Sequence, residues 1–531
     1  MLHPRSLFIT LIALALFALA LVYLQTGTFL PLNIYDEGII AFGAVRVMDG
    51  QVPYRDFWTQ YSPGQLYVLA GLFQAFGKTI MVEREMDIVI RAALALMIFV
   101  LGARLATTKT AAVLWVLALL WVQYYGFFGY PIFTGLLFSL ACIFAFLQGL
   151  TNSSWRWMFV AGLLLGVEAV FRHDMAVYTC AAQIIVFVVF AFARMMPSTE
   201  PLARRFTQAF RTLLPYIVGA LVVLVPVLAV FLSRVPAGEM LQQLFIFPLT
   251  VFPKVRDLPY PKFDWTTENL PFYAPFLIYV LVIGTAVLRM RAERNLPDHD
   301  SHRAWGMLMV ALFGLFGFNQ ARVRSDTIHT VQFFLPALLL LPALVRGISQ
   351  TTRWSTFITR TVGVVLMIAC VVNPIDSYVR QRNERATVAD TLNNTLPVAR
   401  GALIDPGQNF AVRFVQDHTK PGDMVYIGLS RHDRVFANDA MFYFLMERRS
   451  ATRYHELHPG LTNTAPVQQE MIDDLERNHV QYVVLTNMFE GAREPNDSAL
   501  TTDVTLLDKY IKKHYRFANT IGSYTILKRR D

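Results

Sequence analysis

A series of long apolar stretches constrains this chain more than any other feature. Many of them contain about 18 residues or more, the length at which an α-helix crosses a hydrocarbon core of roughly 30 Å. The chain has 531 residues, of which 55% are hydrophobic and only 16% are charged, whereas soluble domains carry about 25% charged residues. The pattern predicts a polytopic α-helical membrane protein with about 11 spans, at residues 7–26, 84–104, 109–126, 131–150, 156–172, 176–194, 212–233, 271–289, 304–320, 331–346 and 357–373.

The distribution of Lys and Arg predicts the orientation of these spans. With the N-terminus in the cytoplasm, the connectors GARLATTK, TNSSWRW, RMMPSTEPLARRFTQAFR, RMRAERNLPDHDSHR and RGISQTTRW all become cytoplasmic, and all carry Arg or Lys, as the positive-inside rule requires. The net charge of +9 is therefore explained by orientation and does not indicate nucleic-acid binding. The first apolar run exceeds the roughly 7–15 residues of a signal-peptide core, so we interpret it as an uncleaved span. We expect a multi-pass protein of the plasma (inner) membrane with its C-terminal region outside the cytoplasm.

The composition divides the chain into two parts, a transmembrane module at 1–374 and a soluble extracytoplasmic domain at 375–531. In the second part, GDMVYIGL (422–429) and QYVVLTN (481–487) are typical of strands, whereas DAMFYFLMERR (439–449) and VQQEMIDDLERNHV (467–480) have helical periodicity. Alternation of this kind predicts a small α/β domain. Between the first two spans, residues 38–50 and 63–77 have helical periodicity but are too short to cross, so we expect helices at the membrane interface.

Two adjacent acids, Asp36 and Glu37, directly follow the first span. One interpretation is structural, because Asp36 can cap the helix that starts at Gly38 and an acid near a helix N-terminus is stabilised by the helix dipole. The other is functional: one carboxylate faces a substrate cavity as a general base, and the other holds a neighbouring group, since adjacent residues point in different directions. The residues alone leave both interpretations open.

Several cations fall on the predicted outer side, against the trend that orients the chain, and binding an anion is one reason for them to be there. They are Arg55, Arg172, Lys254, Arg256, Arg322 and Arg324. Arg55 lies in PYRDFWTQYSPG (53–64), where a surface loop with an internal Arg55–Asp56 pair is the alternative. Lys254 and Arg256 lie in the Pro-rich segment KVRDLPYPKFDW (254–265), which either covers a binding site or is a disordered loop.

Two further outer turns combine Arg with acids. In FRHD (171–174), Arg172 and Asp174 either form a pair that closes the turn or supply a phosphate-binding cation and a second acid. In RVRSDTIH (322–329), Arg322, Arg324 and His329 are candidates to bind phosphate, whereas Asp326 is also suited to capping the next helix.

The order of these motifs resembles the first outer loop of the GT-C superfamily of membrane glycosyltransferases. A span is followed by D-E-G, a short helix, G-x-x-P-Y-R-D, an aromatic residue, Y-x-P-G, another short helix and a span that carries Arg91. The segment is similar to protein O-mannosyltransferase-like and lipid A aminoarabinose transferase-like enzymes of bacterial membranes, of the glycosyltransferase family 39 type. The resemblance implies a polyprenyl-phosphate-linked sugar as donor, Asp36 as catalytic base with Glu37 beside it, and Arg91 at the lipid phosphate.

The chemistry of such a transfer matches the residue types. An attacking hydroxyl needs a base within hydrogen-bond reach, and the planar guanidinium of Arg binds phosphate in a bidentate way. The resemblance implies inversion, with the base opposite the leaving group. We expect a glycan, lipid or protein acceptor, contact with membrane lipids and no cofactor; no metal motif is present, although Asp36 and Glu37 remain candidate ligands of a divalent ion.

Two other functions are alternatives to transfer. A transporter or flippase of lipid-linked sugars would have interrupted spans near mid-membrane and often a repeat between halves, whereas the charges here cluster at one face and no repeat is found. A non-catalytic assembly protein would leave the outer acids and Arg residues without a shared role. The sequence therefore favours the enzyme over the transporter, and the transporter over the assembly protein.

Overall fold

A computed structural model describes residues 4–127, 129–191, 201–264, 266–292, 298–345, 353–388 and 395–530. Helices occupy all of the predicted spans: α1 (Pro4–Gln25), α4 (Ile80–Leu105), α5 (Thr108–Tyr124), α6 (Pro131–Thr151), α7 (Trp155–Phe171), α8 (His173–Phe190), α9 (Leu202–Leu232), α12 (Leu270–Ala292), α13 (Asp298–Val323), α14 (Val331–Val345) and α15 (Arg353–Val388). The span residues predicted at 192–194 and 346, and parts of three predicted connectors, lie outside the described residues.

Seven helices in the described part of the chain, α4, α6, α8, α9, α12, α13 and α15, contain stretches long and apolar enough to cross a membrane. They confirm a polytopic helical membrane protein, while the number of 11 crossings stays a prediction. Small residues let some helices approach closely, as membrane helices often do. At Gly162 of α7, for example, a Cβ atom would lie only 1.9 Å from the carbonyl oxygen of Tyr216 in α9.

Two short helices, α2 (Asp36–Met48) and α3 (Gly64–Phe76), follow α1 where the sequence predicts two short helices. The side-chain oxygen of Asn33 accepts hydrogen bonds from the backbone amides of Tyr35 and Asp36, at 3.1 and 2.9 Å. The first turn of α2 is thus satisfied by Asn33, and the Asp36 carboxylate makes no capping bond in the described structure.

Three short elements lie between α9 and α12: α10 (Ala237–Leu241), a π-helix (Gln242–Val251) and α11 (Phe252–Val255). Short 3-10 turns at Thr267–Asn269 and Ile328–Thr330 precede α12 and α14. In the Pro-rich segment at 254–265, only Lys254 and Val255 are helical, at the end of α11, and residues 256–264 form no helix.

The C-terminal region forms the expected α/β domain around a five-stranded mixed sheet of order β2-β1-β3-β5-β4. Strands β1 and β2, and β1 and β3, are parallel, whereas β3–β5 and β4–β5 are antiparallel. The elements are α16 (Pro406–His418), β1 (Met424–Leu429), α17 (Met441–Met446), β2 (Arg449–Ser450), α18 (Ala465–Arg477), β3 (Tyr482–Thr486), α19 (Leu506–His514), β4 (Tyr515–Ile521) and β5 (Tyr524–Arg529). The boundary predicted at residues 374/375 falls inside α15, which continues to Val388.

The C-terminal domain packs directly on α2 and α3. Phe42 of α2 stacks on Tyr443 of α17 with ring centroids 4.9 Å apart, and Phe73 of α3 contacts Phe444. Arg46 is buried and donates to the carbonyl oxygens of Thr452 and Arg453. A shared apolar core joins the two parts, so the domain is held against one end of the helical bundle, which we call the domain-side end.

Candidate functional site

The two adjacent acids have different surroundings. Glu37 is fully buried and its carboxylate accepts two hydrogen bonds from Arg84 of α4, at 2.7 and 3.1 Å. The remaining donors of Arg84 reach the carbonyl oxygens of Thr28, Leu30 and Pro31. Glu37 therefore fixes the loop after α1 against α4, and its carboxylate is fully engaged.

Asp36 is partly exposed, and its carboxylate has one hydrogen-bond donor among the described residues, the side-chain amide of Asn33 at 3.2 Å. Burial raises the pKa of Asp36 above its usual value, while the Asn33 hydrogen bond and the charges of His329 and Arg256 lower it in part. A carboxylate that no cation occupies directly, with a raised pKa, suits a general base. The functional interpretation of the sequence expected one acid to hold a neighbouring group, as Glu37 does with Arg84; the role of Asp36 as a base stays a prediction.

Residues from five other segments surround Asp36 at the domain-side end. The hydroxyls of Tyr61 and Tyr130 hydrogen-bond each other, and both groups lie within electrostatic range of Asp36. Beyond them, Arg172 forms a bidentate pair with Asp174, at 2.8 and 2.7 Å. The structure thus brings the FRHD turn to the site, with its Arg and its second acid already paired to each other.

The turn between α13 and α14 reaches the site through His329. Asp326 accepts from the His329 backbone amide at 3.1 Å and from its ring Nδ1 at 2.6 Å. Despite burial, His329 and Arg324 hold the pKa of Asp326 below its usual value. Arg324 binds Asp326 and also Glu494 of the C-terminal domain, at 2.6 and 3.0 Å. Two carboxylates therefore occupy Arg324, which joins the domain to the bundle.

Three predicted phosphate ligands are not brought into this cluster. Arg55 is exposed and pairs with Asp56, at 2.9 and 2.8 Å. Arg91 is buried within the bundle, where it pairs with Asp87 and lies 3.8 Å over the ring of Phe133. Arg322 is exposed and donates to the side chain of Asn319. Each of these cations has a local role that does not involve Asp36.

Arg256 is the cation that the sequence did not rank as a site residue. It is only 6% exposed, yet no carboxylate lies within ion-pair distance of its guanidinium in the described part of the chain. Its Nη2 donates to the Tyr35 hydroxyl at a long 3.4 Å, and its guanidinium lies over the rings of Tyr35 and Phe436. The segment KVRDLPYPKFDW was notable in the sequence for its basic residues on the predicted outer side. That pattern did not distinguish Arg256 from Lys254.

Glu456 of the C-terminal domain also faces Asp36, and nothing in the sequence pattern singled it out. It is 1% exposed, and its Oε2 atom has no hydrogen-bond partner among the described residues. Its Oε1 accepts from the Tyr35 hydroxyl at 3.4 Å. Burial raises the pKa of Glu456 to about 8, with Arg256 opposing the shift and Asp36 adding to it.

An apolar groove of about 640 Å³ runs between α3, α4, α6 and α7. Val68, Leu72, Val89 and Leu137 are among its lining residues, and it reaches Phe171 at one end. Phe171 directly precedes Arg172, so this end of the groove adjoins the polar cluster. A groove of this composition suits a hydrocarbon chain.

The described residues contain no group of three or more His, Cys, Asp or Glu side chains placed to hold a metal ion. The expectation that no cofactor is needed stays a prediction.

Comparison with known proteins identifies the fold. No family model and no curated protein matches the chain, but solved structures do. ArnT from Cupriavidus metallidurans bound to undecaprenyl phosphate is 13% identical, with a TM-score of 0.52 over 98% of this chain and 97% of that chain. The Archaeoglobus fulgidus oligosaccharyltransferase tethered with an acceptor peptide is 11% identical, with a TM-score of 0.50 over 98% and 74%. The same enzyme in complex with Zn and sulfate is 10% identical, with a TM-score of 0.54 over 96% and 72%. These structures are of the GT-C type, which confirms the fold expected from the resemblance.

Proposed function

We propose that this chain is a membrane glycosyltransferase that moves a sugar from a polyprenyl-phosphate donor to a hydroxyl acceptor. The proposal rests on two groups at one site: the Asp36 carboxylate, which no cation binds, and the Arg256 guanidinium, which no carboxylate binds, among the described residues. Asp36 has no bound cation and Arg256 no bound carboxylate in the described structure, while Asp174 is paired with Arg172 and Glu494 with Arg324. A base and a phosphate-binding cation are the minimum that this reaction requires.

Asp36 is the general base. It accepts the proton of the acceptor hydroxyl as the acceptor oxygen attacks the anomeric carbon. The bond from that carbon to the phosphate oxygen breaks, and its electron pair leaves with the polyprenyl phosphate. Because the base and the leaving group lie on opposite faces of the sugar, the product has inverted configuration. Glu37, held by Arg84, fixes the start of α2 and with it the position of Asp36.

Arg256 binds the donor phosphate. A buried guanidinium without a carboxylate partner is costly unless an anion completes it, and its donors match phosphate geometry. The apolar groove beside Arg172 accepts the start of the polyprenyl chain, since hydrocarbon gains free energy when it leaves water for such a surface. Arg91, Arg55 and Arg322 take no part in this proposal, because their partners already occupy them.

The remaining assignments follow from the neighbours and the predicted orientation. The ArnT structure contains undecaprenyl phosphate and the oligosaccharyltransferase structure contains an acceptor peptide, which supports a lipid-linked donor and a separate acceptor here. We place the reaction at the outer face of the plasma membrane, with the N-terminus cytoplasmic. A glycan, a lipid and a protein are all acceptable as hydroxyl acceptors.

The test is glycosyl transfer by the purified protein from a panel of radiolabelled polyprenyl-phosphate sugars. We expect transfer, or slow release of free sugar, by the wild type, and a loss of roughly 10²–10⁴-fold in Asp36→Asn, the usual contribution of a general base. Asp49→Asn is the matched control, because Asp49 is an exposed acid at the other end of the same helix. Equal turnover by wild type and Asp36→Asn would refute the assignment of the base. Donor binding without consumption by any variant would favour a transporter of lipid-linked sugars instead.

A further inference from the structure

Glu456 stands out among the buried acids of the C-terminal domain because one of its oxygens has no partner. Buried polar atoms in folded proteins almost always form hydrogen bonds. Asp439 of the same domain follows that rule, since its Oδ2 accepts from Gln408 and Tyr524 and its Oδ1 accepts from the backbone amide of Phe442. Glu456 has only the 3.4 Å contact with the Tyr35 hydroxyl on Oε1, and Oε2 is unsatisfied in the described structure. A purely structural acid at this position would be expected to have its second oxygen bonded as well.

The groups around Glu456 come from every part of the site. Its own segment contributes the imidazoles of His455 and His458, and burial holds the pKa of both well below the usual value, so both are uncharged near neutral pH. The other charged or titratable groups that face Glu456 are Tyr35, Asp36, Tyr61, Tyr130 and Arg256. Arg256 is the single cation in this set of described residues.

The Tyr35 hydroxyl lies between Glu456 and Arg256. Its contacts with the two side chains are both 3.4 Å, at the far end of the hydrogen-bond range. The hydroxyl therefore binds neither partner tightly. A phosphate oxygen at the position of this hydroxyl would accept hydrogen bonds from Arg256 on one side and from a protonated Glu456 on the other. An ionised Glu456 would instead neutralise Arg256 and repel phosphate, so the site needs Glu456 in its protonated form.

We propose that Glu456 is a proton-bearing ligand of the donor phosphate, supplied by the C-terminal domain. This inference rests on the proposed function. The carboxyl O–H of Glu456 donates to a phosphate oxygen beside Arg256. As the bond between the anomeric carbon and the phosphate oxygen breaks, the proton of Glu456 passes to the leaving phosphate, while Asp36 takes the proton of the acceptor. Transfer of the acceptor's proton from Asp36 to Glu456 then restores both groups, so the reaction consumes no proton from solvent.

The proposal gives the C-terminal domain a direct part in the reaction. The site is incomplete without residue 456, which is separated from Asp36 by the whole helical bundle in sequence. Docking of the domain on α2 therefore assembles the donor site.

Binding of a phosphodiester to the full-length protein tests the proposal without requiring turnover. A farnesyl methyl phosphodiester keeps a single negative charge between pH 6 and pH 9, so any change of affinity reports on the protein. If only the protonated form of Glu456 binds, a group with a pKa of about 8 weakens binding about tenfold between pH 7 and pH 9. We expect this tenfold loss by calorimetry in the wild type and in Glu476→Gln, an exposed acid of the same domain, and affinity independent of pH in Glu456→Gln.

Each outcome separates the two proposals. Wild-type affinity that does not change with pH, or a tenfold loss that persists in Glu456→Gln, would overturn the role of Glu456 and leave the proposed function standing. No binding of the phosphodiester by the wild type at any pH would argue against the donor class itself. If Glu456→Gln does not fold, a wild-type affinity that stays constant from pH 7 to pH 9 still overturns the role of Glu456.

Discussion

Replacing Gly38 by alanine tests whether the C-terminal domain and the first loop form one unit. A Cβ atom at Gly38 would lie 2.2 Å from the backbone nitrogen of Met441 and 2.7 Å from its Cα. Ordinary contact begins at 3.4 Å, so the start of α17 must move by about 1.2 Å. Overpacking of this kind costs about 1–3 kcal/mol. The move also breaks the 2.9 Å hydrogen bond from Met441 N–H to the carbonyl of Ile34, which contributes about 1 kcal/mol.

A total of about 2–4 kcal/mol favouring separation of the domain from α2 is measurable by hydrogen exchange. At the lower value, amides of Met441–Met446 should exchange about 30-fold faster in Gly38→Ala than in the wild type, since about 1.4 kcal/mol corresponds to a factor of ten. Gly71→Ala in α3 is the matched control, because its Cβ meets no atom within 4 Å and alanine in a helix is favoured by about 0.5–1 kcal/mol. Exchange in Gly38→Ala that is unchanged at α17, or slowed as in the control, would refute the docking argument.

Four further outcomes follow from the site. Glu37→Gln should lower the free energy of unfolding by about 3–5 kcal/mol, because it leaves the fully buried Arg84 without a charged partner. Asp36→Asn should change the free energy of unfolding by less than about 1 kcal/mol, and thermal unfolding of the two variants side by side measures the difference. The rate of transfer should fall as the pH drops through the pKa of Asp36, because the base must be ionised; burial places that pKa above its usual value. A pH–rate profile that stays flat down to the ordinary aspartate range near 4 would contradict this. The pKa of Glu456 is raised from 4.5 to about 8 on folding, so the native state binds its proton more tightly and stability should decrease as the pH rises through that window; unfolding at pH 5 and pH 8 should show a smaller decrease in Glu456→Gln. Val89→Trp should fill part of the apolar groove and weaken binding of long-chain donors, while Val113→Trp, an exposed position on α5, should not; equal donor KM values in the two variants would exclude the groove as the lipid site.

Much of the architecture could be predicted because each prediction depended on a local pattern. Apolar length predicted the helices of the bundle, and alternation predicted strands such as β1 and β3 in the tail. The two short helices predicted after the first span are present as α2 and α3, because their periodicity is helical; their place at the membrane interface stays a prediction. The boundary at 374/375 was placed inside α15, because composition becomes polar before the helix ends.

The sequence alone determined the class of protein, since hydropathy is a property of neighbouring residues. It also singled out the D-E-G motif of the first loop, whose role stays a prediction. It could not decide which Arg lacks a carboxylate partner. Four of them pair with an acid within four residues of the chain: Arg55, Arg91, Arg172 and Arg324. Arg256 is buried by residues of other segments, and no carboxylate lies within ion-pair distance of it in the described part of the chain. Tertiary contacts also give Asp36 and Glu37 different hydrogen-bond partners and bring Glu456 close to Asp36. Burial sets the charge and availability of Arg256 and Glu456, and it depends on residues distant in the chain, so it exists only once the domain has docked on the bundle.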